Sequence, residues 1–294
     1  MHYTGQVYRP PVEWATPLLE VTAGCSHNKC TFCTMYHKTP FAVSSLKDVE
    51  SDLREMRKDY GDRLKHIYLV NGDAFVLSTE KLLEIAALVK KYFPKMEAIG
   101  SYASINHIKR KSLDELKRLR EAGYTGLHFG IETAYAPALN LLNKGFTVEE
   151  TYENLRKVKQ ADMEYAANLM PGIAGRGNWK VNALETAKLL NEFPPYMILV
   201  FCLSIAPDSD LAKIKDAGNF TEATEREMIE EIKLLLQSLN MRDDCYFFGS
   251  HPYDLIPVSG YFKDRDQMVA KLEEGMSEME PEFLDSVYRR PPTP

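Results

Sequence analysis

The chain has 294 residues, of which 45% are hydrophobic and 27% are charged. These values are typical of a soluble globular protein, and the length is enough for one large core. The 36 basic and 42 acidic residues give a net charge of −6. This balance disfavours nucleic acid as the main partner, because nucleic-acid-binding domains carry strongly basic surfaces.

The cysteine count and the apolar runs indicate the cellular compartment in which the protein is expected. Five cysteines are an odd number, with three clustered and Cys202 and Cys245 isolated, so they do not form a disulfide framework. Residues 1–14 show no signal-peptide pattern, and no apolar run approaches the roughly 20 residues that a membrane helix needs. We therefore expect a cytoplasmic protein with no membrane partner.

Apolar runs and helical periodicities alternate along the chain after an extended lead-in. Strands are predicted at 17–22, 66–70, 98–102, 126–131, 165–170, 197–203 and 245–249. Helices are predicted at 45–60, 79–92, 112–123, 147–161, 182–193, 221–239, 264–275 and 281–288. Capping boxes at Ser112–Glu115 and Thr147–Glu150 mark two of the helix starts. The helix predicted at 221–239 begins with a run of glutamates, which favours a helix N-terminus.

Six successive strand–helix units predict parallel strands with right-handed crossovers. A doubly wound sheet and a barrel both fit this alternation. The unusual residues follow several different strands, as at the rim of a (β/α) barrel, whereas a doubly wound sheet concentrates them at one switch point. We predict an α/β fold, a partial (β/α)6 TIM-like barrel. It has a lead-in at 1–16, a core barrel at 17–215 and a helical and loop extension at 216–294 that closes the barrel within the same domain.

The loop after the first strand carries Cys25, Cys30 and Cys33. Soft thiolate ligands select iron–sulfur clusters, zinc or copper(I). A set of three thiolates leaves one coordination position without a cysteine. A zinc site with His27 or His37 as fourth ligand is one alternative. A redox pair formed by the last two cysteines is another.

The spacing of four and then two residues resembles the cluster loop of the radical S-adenosylmethionine (SAM) superfamily. There, three cysteines bind three irons of a [4Fe–4S] cluster, and the fourth iron is left for the amine and carboxylate of SAM. Most members space the cysteines three and two, so this loop matches a variant with one extra residue. Phe32 and Tyr36 also match the superfamily pattern. The resemblance covers residues 17–211 and implies an enzyme with a [4Fe–4S] cluster and SAM as cofactors, reduced by a donor such as flavodoxin or ferredoxin.

Two segments after later strands resemble motifs that hold the methionine and ribose parts of SAM. Asn71–Gly72–Asp73 lies where backbone carbonyls and an acid bind the SAM amino group, which implicates Gly72 and Asp73. The same three residues are common turn chemistry. Glu132 matches an acid that contacts the ribose hydroxyls, and a buried salt-bridged carboxylate is the competing interpretation.

Further motifs complete the predicted SAM site. Arg156 lies on a helix that supplies a SAM-carboxylate contact in some relatives, and Ile173 matches an apolar residue that packs against adenine. Lys144 is interpreted as a surface residue without a catalytic role. The motifs occur in the same order as in the superfamily, which strengthens the resemblance.

The resemblance implies that the reduced cluster gives one electron to SAM and that a 5′-deoxyadenosyl radical takes a hydrogen atom from the substrate. A compact, acidic, single-domain chain indicates a small-molecule substrate. Lyases of modified nucleobases such as queuine are candidates, alongside porphyrin- and amine-directed enzymes. The alternatives are an RNA-modifying radical SAM enzyme and a non-catalytic zinc or iron–sulfur binding protein.

Substrate contacts are expected from residues outside the shared motifs. They follow the third and fifth strands and the last predicted strand, and comprise Tyr102, Asn168, His251, Tyr253 and Asp254. The residues at 251–254 combine rings, hydrogen-bonding groups and an acid, which suits a nitrogenous ring or an amine. The alternative is that they seal the barrel. Cys202 is interpreted as a buried core thiol, with hydrogen-atom donation as the second possibility.

Overall fold

The structure is a computed structural model that describes residues 1–72 and 74–290. Its strands are β1 (Leu18–Glu20), β2 (Thr22–Ala23), β3 (Ala42–Val43), β4 (His66–Val70), β5 (Ala98–Ala103), β6 (Tyr124–Glu132), β7 (Tyr165–Leu169), β8 (Met197–Val200), β9 (Tyr246–Gly249) and β10 (Val258–Tyr261). Its helices are α1 (Leu46–Tyr60), α2 (Thr79–Tyr92), α3 (Ile105–Lys109), α4 (Leu113–Ala122), α5 (Ala136–Leu142), α6 (Val148–Gln160), α7 (Trp179–Glu192), α8 (Asp210–Asp216), α9 (Glu225–Ser238), α10 (Arg265–Ser277) and α11 (Pro281–Leu284).

Eight of the strands form one sheet in the order β1–β4–β5–β6–β7–β8–β9–β10. The pairs β1–β4, β4–β5, β5–β6, β7–β8 and β8–β9 are parallel, and β10 is antiparallel to β9. In the described residues β1 and β10 are the two edges, so the barrel is not closed. The predicted α/β fold with a partial TIM-like barrel is confirmed.

The first of two compact units comprises Met1–Asn28, Met35–Phe129 and Glu153–Tyr165. Strand β4 is buried from its second residue to its last, as expected for a parallel strand covered on both faces. Helix α1 buries Leu53 and Met56, because apolar residues at helical spacing form one face.

The second unit comprises Lys29–Thr34, Gly130–Tyr152 and the chain from Ala166. Helix α9 begins later than predicted, with a capping box between Thr224 and Glu227. This helix belongs to the predicted C-terminal extension, and a hydrogen bond between Asn182 and Glu231 joins it to α7. The predicted boundary at residue 215 stays a prediction.

Several short elements were not predicted. Helices α3, α5 and α8 have five to seven residues, too few for hydrophobic periodicity to stand out. Strand β8 ends at Val200, three residues earlier than predicted. Both predicted capping boxes are confirmed. Among the described residues, the helices fall short of the length and apolarity that crossing a membrane requires.

Candidate cluster and SAM site

Cys25 lies after β2 in the first unit, on a loop shaped by Asn28. The Asn28 N–H points to Cys25 Sγ at 3.4 Å, and hydrogen bonds to sulfur are one means by which proteins tune iron–sulfur clusters. Asn28 has a positive φ of 40°, and its side-chain amide donates to the Tyr36 carbonyl oxygen at 3.1 Å. Asn28 therefore joins Cys25 to Tyr36 across the loop.

Gly72 lies against Cys25 and Tyr36 in the same unit. A Cβ at this position would stand 2.7 Å from a Tyr36 ring carbon and 3.2 Å from Cys25 Cβ, so a larger residue would displace the ring or the thiol. The preceding Asn71 has a φ of 73° and donates from its amide to Glu20 Oε2 at 2.8 Å. The structure thus brings together three residues of the predicted site, Cys25, Tyr36 and Gly72.

Two further SAM contacts were predicted in this part of the chain. Asp73, the predicted partner of the SAM amino group, lies outside the described residues. Arg156 is exposed on α6. Both assignments stay predictions.

Tyr102, a predicted substrate contact, lies in an aromatic cluster of the first unit. Its ring makes edge contacts with Tyr68 at 5.3 Å and with His128 at 6.1 Å between centroids. Burial raises the pKa of Tyr102 and lowers the pKa of His128 to about 4. Glu13 of the lead-in lies 3.9 Å from His128 Nε2. The environment favours a neutral tyrosine packed among rings.

In the second unit, the segment 29–34, which carries the other two thiols, is tied to the C-terminal turn of α5. The Thr31 N–H donates to the Leu142 carbonyl oxygen at 3.0 Å, and Thr31 Oγ1 donates to the Leu141 carbonyl oxygen at 2.9 Å. Asn143, in left-handed conformation, ends the helix and donates from its amide to the first carbonyl of the segment at 3.0 Å. These bonds fix the thiol-bearing segment against the helix end.

The next residue, Lys144, pairs with Glu132 at the end of β6. Lys144 Nζ lies 2.6 Å from Glu132 Oε1, and the two side chains are only 10% and 9% exposed. Glu132 has a φ of 62°, a conformation that costs a non-glycine residue on the order of 1–3 kcal/mol. A Cβ at Gly130 would stand 2.5 Å from Oε1 and 2.8 Å from Nζ, so the absence of a side chain there makes room for the pair.

Lys144 also faces the cysteine segment, so its interpretation as a surface residue is wrong. Its Nζ lies 5.8 Å from the ring centres of both Phe32 and Phe146. Burial lowers the pKa of Lys144, but its carboxylate partner and the thiols of Cys30 and Cys33 together raise it above the ordinary value. Hydrophobic periodicity in the sequence could not predict this contact, because the contact depends on the turn that ends α5.

Ile173, the predicted adenine contact, is fully buried in an apolar cluster of the second unit. The cluster includes Leu142, Leu203 and Phe220, and Phe32 packs against it. The structure therefore brings two predicted cofactor residues, Phe32 and Ile173, to one apolar cluster. An apolar surface of this kind suits an adenine ring.

A buried carboxyl supports the loops beside these residues. Glu231 of α9 accepts hydrogen bonds from the Gly172 N–H at 3.1 Å and from the Asn182 amide at 2.5 Å. Thr133 Oγ1 donates to the oxygen of the same amide. Burial raises the pKa of Glu231 to about 8, against the two hydrogen bonds, which lower it. Sequence reasoning placed this residue in an acidic helix start and missed its role.

Asn168, a predicted substrate contact, lies near the end of β7 and is half-buried. Its side-chain oxygen is inaccessible to solvent and has no hydrogen-bond partner among the described residues. Leaving such an acceptor unpaired costs about 1–3 kcal/mol. The amide is therefore suited to receive a donor from a bound molecule.

The loop after β9 is closed by Asp254. Its carboxylate accepts from the Cys202 N–H at 3.1 Å and from the His251 N–H at 2.9 Å, and burial raises its pKa. The His251 ring makes edge contacts with Phe201 at 5.0 Å and with Tyr253 at 4.7 Å. The three predicted loop residues are together, with the acid inside and the rings around the histidine.

Arg290 fastens this loop to α9. Its Nη1 and Nη2 lie 2.9 Å and 2.5 Å from the two carboxylate oxygens of Glu225, and its Nε donates to the Tyr253 carbonyl oxygen at 2.6 Å. Two parallel N–H···O bonds of this kind give both energy and a fixed orientation. Arg290 thus holds the end of the described chain against both α9 and the loop after β9.

The donor set fits an iron–sulfur cluster in its chemistry. None of the five cysteines, all within the described residues, is in a disulfide; Cys202 and Cys245 are buried and the other three are half-buried. Burial raises the pKa of the thiol of Cys202, and raises that of Cys245 to about 12, which keeps them protonated and disfavours both as ligands. In the described part of the chain no three His, Cys, Asp or Glu side chains are already gathered around one metal-ion position. The fit rests on the three accessible soft thiols and on the N–H···S contact at the first of them.

Comparison with known proteins identifies the family. A sequence profile of the radical SAM superfamily matches residues 19–187, more than half of the chain. The chain belongs to the radical SAM superfamily. Its cofactors are accordingly a [4Fe–4S] cluster and SAM, which confirms the cofactors predicted from the cysteine spacing.

Individual relatives are distant and differ in their reactions. The tRNA uridine(34) acetyltransferase of Methanocaldococcus infernus is 24% identical over 119 residues, which are 40% of this chain and 22% of that protein. This radical SAM chain thus covers about a fifth of the length of that relative. The structure of methylornithine synthase is 15% identical, with a TM-score of 0.55 over 87% of this chain and 68% of that one.

A second solved structure, coproporphyrinogen III oxidase from Escherichia coli, is described as a radical SAM enzyme. It is 18% identical, with a TM-score of 0.55 over 76% of this chain and 52% of that one. Both structural likenesses show the fold.

Proposed function

We propose that this chain is a radical SAM enzyme that binds its cluster through Cys25, Cys30 and Cys33 and acts on a small nitrogenous substrate. The observation that supports the substrate class is the buried, unpartnered oxygen of Asn168. The same compact unit holds the His251 loop with its rings. An acceptor and aromatic edges suit a nitrogen heterocycle or an amine.

When bound, the cluster and SAM would supply the chemistry of the superfamily, one-electron cleavage of SAM and abstraction of a hydrogen atom from the substrate, and Cys25, Cys30 and Cys33 would hold the cluster. The protein positions the reactants and excludes water. Gly72 allows close packing at the first thiol, and the bonds of Thr31 hold the segment that carries the others.

The SAM contacts follow from the same placement. Ile173 and Phe32 offer an apolar surface for the adenine, and Glu132 offers a carboxylate for the ribose hydroxyls. Asp73 and Arg156 are proposed for the amino and carboxylate groups. An exchange of partners at Glu132, from Lys144 to the ribose, would retain a hydrogen-bonded carboxylate throughout.

The reaction type is proposed to be that of a lyase or an oxidoreductase, with a modified nucleobase such as queuine as the first substrate to test. A flavodoxin or ferredoxin is proposed as electron donor, and the cytoplasm as location. In the test, anaerobic enzyme, SAM and dithionite are incubated with queuine, with a porphyrin precursor or with an amine. A substrate increases 5′-deoxyadenosine formation, and Asn168→Ala is expected to abolish the increase. If none of these compounds raised 5′-deoxyadenosine formation above the level with enzyme, SAM and dithionite alone, the proposal of a small nitrogenous substrate would be contradicted.

A second candidate is an RNA substrate, favoured by the name of the first relative described above. The chain covers 22% of that protein, and its net charge is −6. Binding of transfer RNA to the purified enzyme, with a steep decrease in affinity as salt rises, would support this candidate. Absence of binding at low salt would exclude it.

A further inference from the structure

We propose that Lys144 is a positioning and charge-setting residue that makes the cluster on this chain easier to reduce, with Glu132 opposing its effect. The proposal rests on the proposed function, because it takes Cys30 and Cys33 to be cluster ligands. It concerns residues of this chain that the sequence motifs do not assign to the cluster.

The first argument is mechanical. The thiol-bearing segment 29–34 and the end of α5 are joined by three hydrogen bonds, two from Thr31 and one from Asn143. Lys144 follows Asn143 directly. The ammonium is therefore held at a fixed place relative to the two thiols of the segment, and it does not move freely as a surface lysine does.

The second argument is electrostatic. The Lys144 ammonium is buried beside Phe32 and Phe146, where charges interact more strongly than in water. Phe32 precedes Cys33 directly in the chain, so the ammonium lies beside the thiol-bearing segment. One-electron reduction adds a negative charge to a cluster, and net charge around a cluster is one determinant of its potential. A nearby cation stabilises the reduced form more than the oxidised form.

The third argument is that two opposite charges stand side by side. Glu132 Oε1 lies 2.6 Å from Lys144 Nζ, and both side chains are nearly buried. Removal of the lysine leaves a buried carboxylate, and removal of the carboxylate leaves a buried cation. The two substitutions therefore shift the potential in opposite directions, whereas damage to the fold would not.

The experiment is a redox titration followed by the EPR signal of the reduced cluster, without SAM, on anaerobically reconstituted full chain. Iron and sulfide are quantified first for the wild type, Lys144→Gln, Lys144→Arg and Glu132→Gln. Lys213→Gln is the control, because Lys213 is an exposed lysine of the same unit that also pairs with a carboxylate.

We expect a more negative midpoint potential for Lys144→Gln, a more positive one for Glu132→Gln, and values close to wild type for Lys144→Arg and Lys213→Gln. Equal potentials in all loaded variants, or shifts of the same sign in the first two, would overturn the proposal. If Lys144→Gln does not retain the cluster, the midpoint potential of Glu132→Gln decides. A more positive value than wild type supports the proposal, and an unchanged or more negative value overturns it. A wild-type chain that takes up no cluster would contradict the proposed function instead, so the two failures are distinguishable.

Discussion

Glu231 Oε2 accepts a hydrogen bond of 3.1 Å from the backbone N–H of Gly172, so a carboxyl of α9 supports the loop that follows β7. Gly172 precedes Ile173, the proposed adenine contact, and has a φ of 88°. The same carboxyl reaches Thr133 through Asn182. One buried acid therefore braces the residues next to two proposed SAM contacts.

The first prediction concerns the pH dependence of stability. The pKa of Glu231 in the folded chain is about 8, above the ordinary value of 4.5, so the folded chain keeps a proton that the unfolded chain releases between these values. The free energy of unfolding should therefore decrease as pH rises from 4.5 to 8, by at most about 1.4 kcal/mol per pH unit.

In Glu231→Gln this contribution disappears, and rotation of the Asn182 amide can restore the hydrogen bonds. Urea unfolding at pH 6 and pH 8 measures the difference. Glu230→Gln is the control, because Glu230 is partly exposed and paired with Lys233. If the free energy of unfolding of Glu231→Gln decreased with pH as steeply as that of the wild type, the raised pKa assigned to Glu231 would be refuted.

The second prediction concerns the clamp at Arg290. Its side chain is 4% exposed and that of Glu225 is fully buried. Arg290→Met leaves a buried carboxylate without its cation, which costs about 3–5 kcal/mol. Thermal unfolding should show a clear decrease in Tm.

The exposed pair of Arg226 and Asp285, with side chains 38% and 60% exposed, is the matched control. Arg226→Met should change stability by about 1 kcal/mol or less. Similar losses in both variants would show that burial does not distinguish the pairs.

The third prediction separates the roles of the loop after β9. Asp254→Ala removes the acceptor of two backbone N–H groups, so it should destabilise the chain by about 1–3 kcal/mol. His251→Ala keeps that acceptor and should retain the fold but weaken substrate binding. If His251→Ala binds the identified substrate as wild type does, the loop only closes the fold.

The fourth prediction tests the SAM contacts. Loss of a hydrogen bond to a charged group costs about 1.5–3 kcal/mol, so Glu132→Gln and Asp73→Ala should each weaken SAM affinity about tenfold or more. Cluster content should stay unchanged. Equilibrium binding of SAM to the loaded protein measures the effect, and unchanged affinity in both variants would show that the motifs are misplaced.

The parts of the fold that could be predicted depend on local signals. Parallel strands appear as apolar runs, and the capping boxes at Ser112 and Thr147 mark helix starts in the sequence itself. Short helices such as α5 contain too few turns for a periodic signal. The thiols could be predicted because three soft ligands within nine residues are chemically distinctive.

The buried partners at the site could not be predicted in this way. Lys144 and Glu132 are twelve residues apart, and Glu231 reaches Gly172 across 59 residues. In sequence, Lys144 and Glu231 look like parts of a solvated surface, and the salt bridge considered for Glu132 had no identified partner. Only the folded chain shows that they are buried and paired.

The central claim is that Cys25, Cys30 and Cys33 bind a [4Fe–4S] cluster that engages SAM. The most direct measurement is the EPR spectrum of the anaerobically reconstituted, reduced protein, recorded before and after addition of SAM. We predict a [4Fe–4S] signal that changes when SAM is added, that persists in Cys202→Ala and Cys245→Ala, and that is absent when the three loop cysteines are replaced by alanine. A full cluster signal in that triple variant, or a wild-type signal that SAM leaves unchanged, would contradict the account.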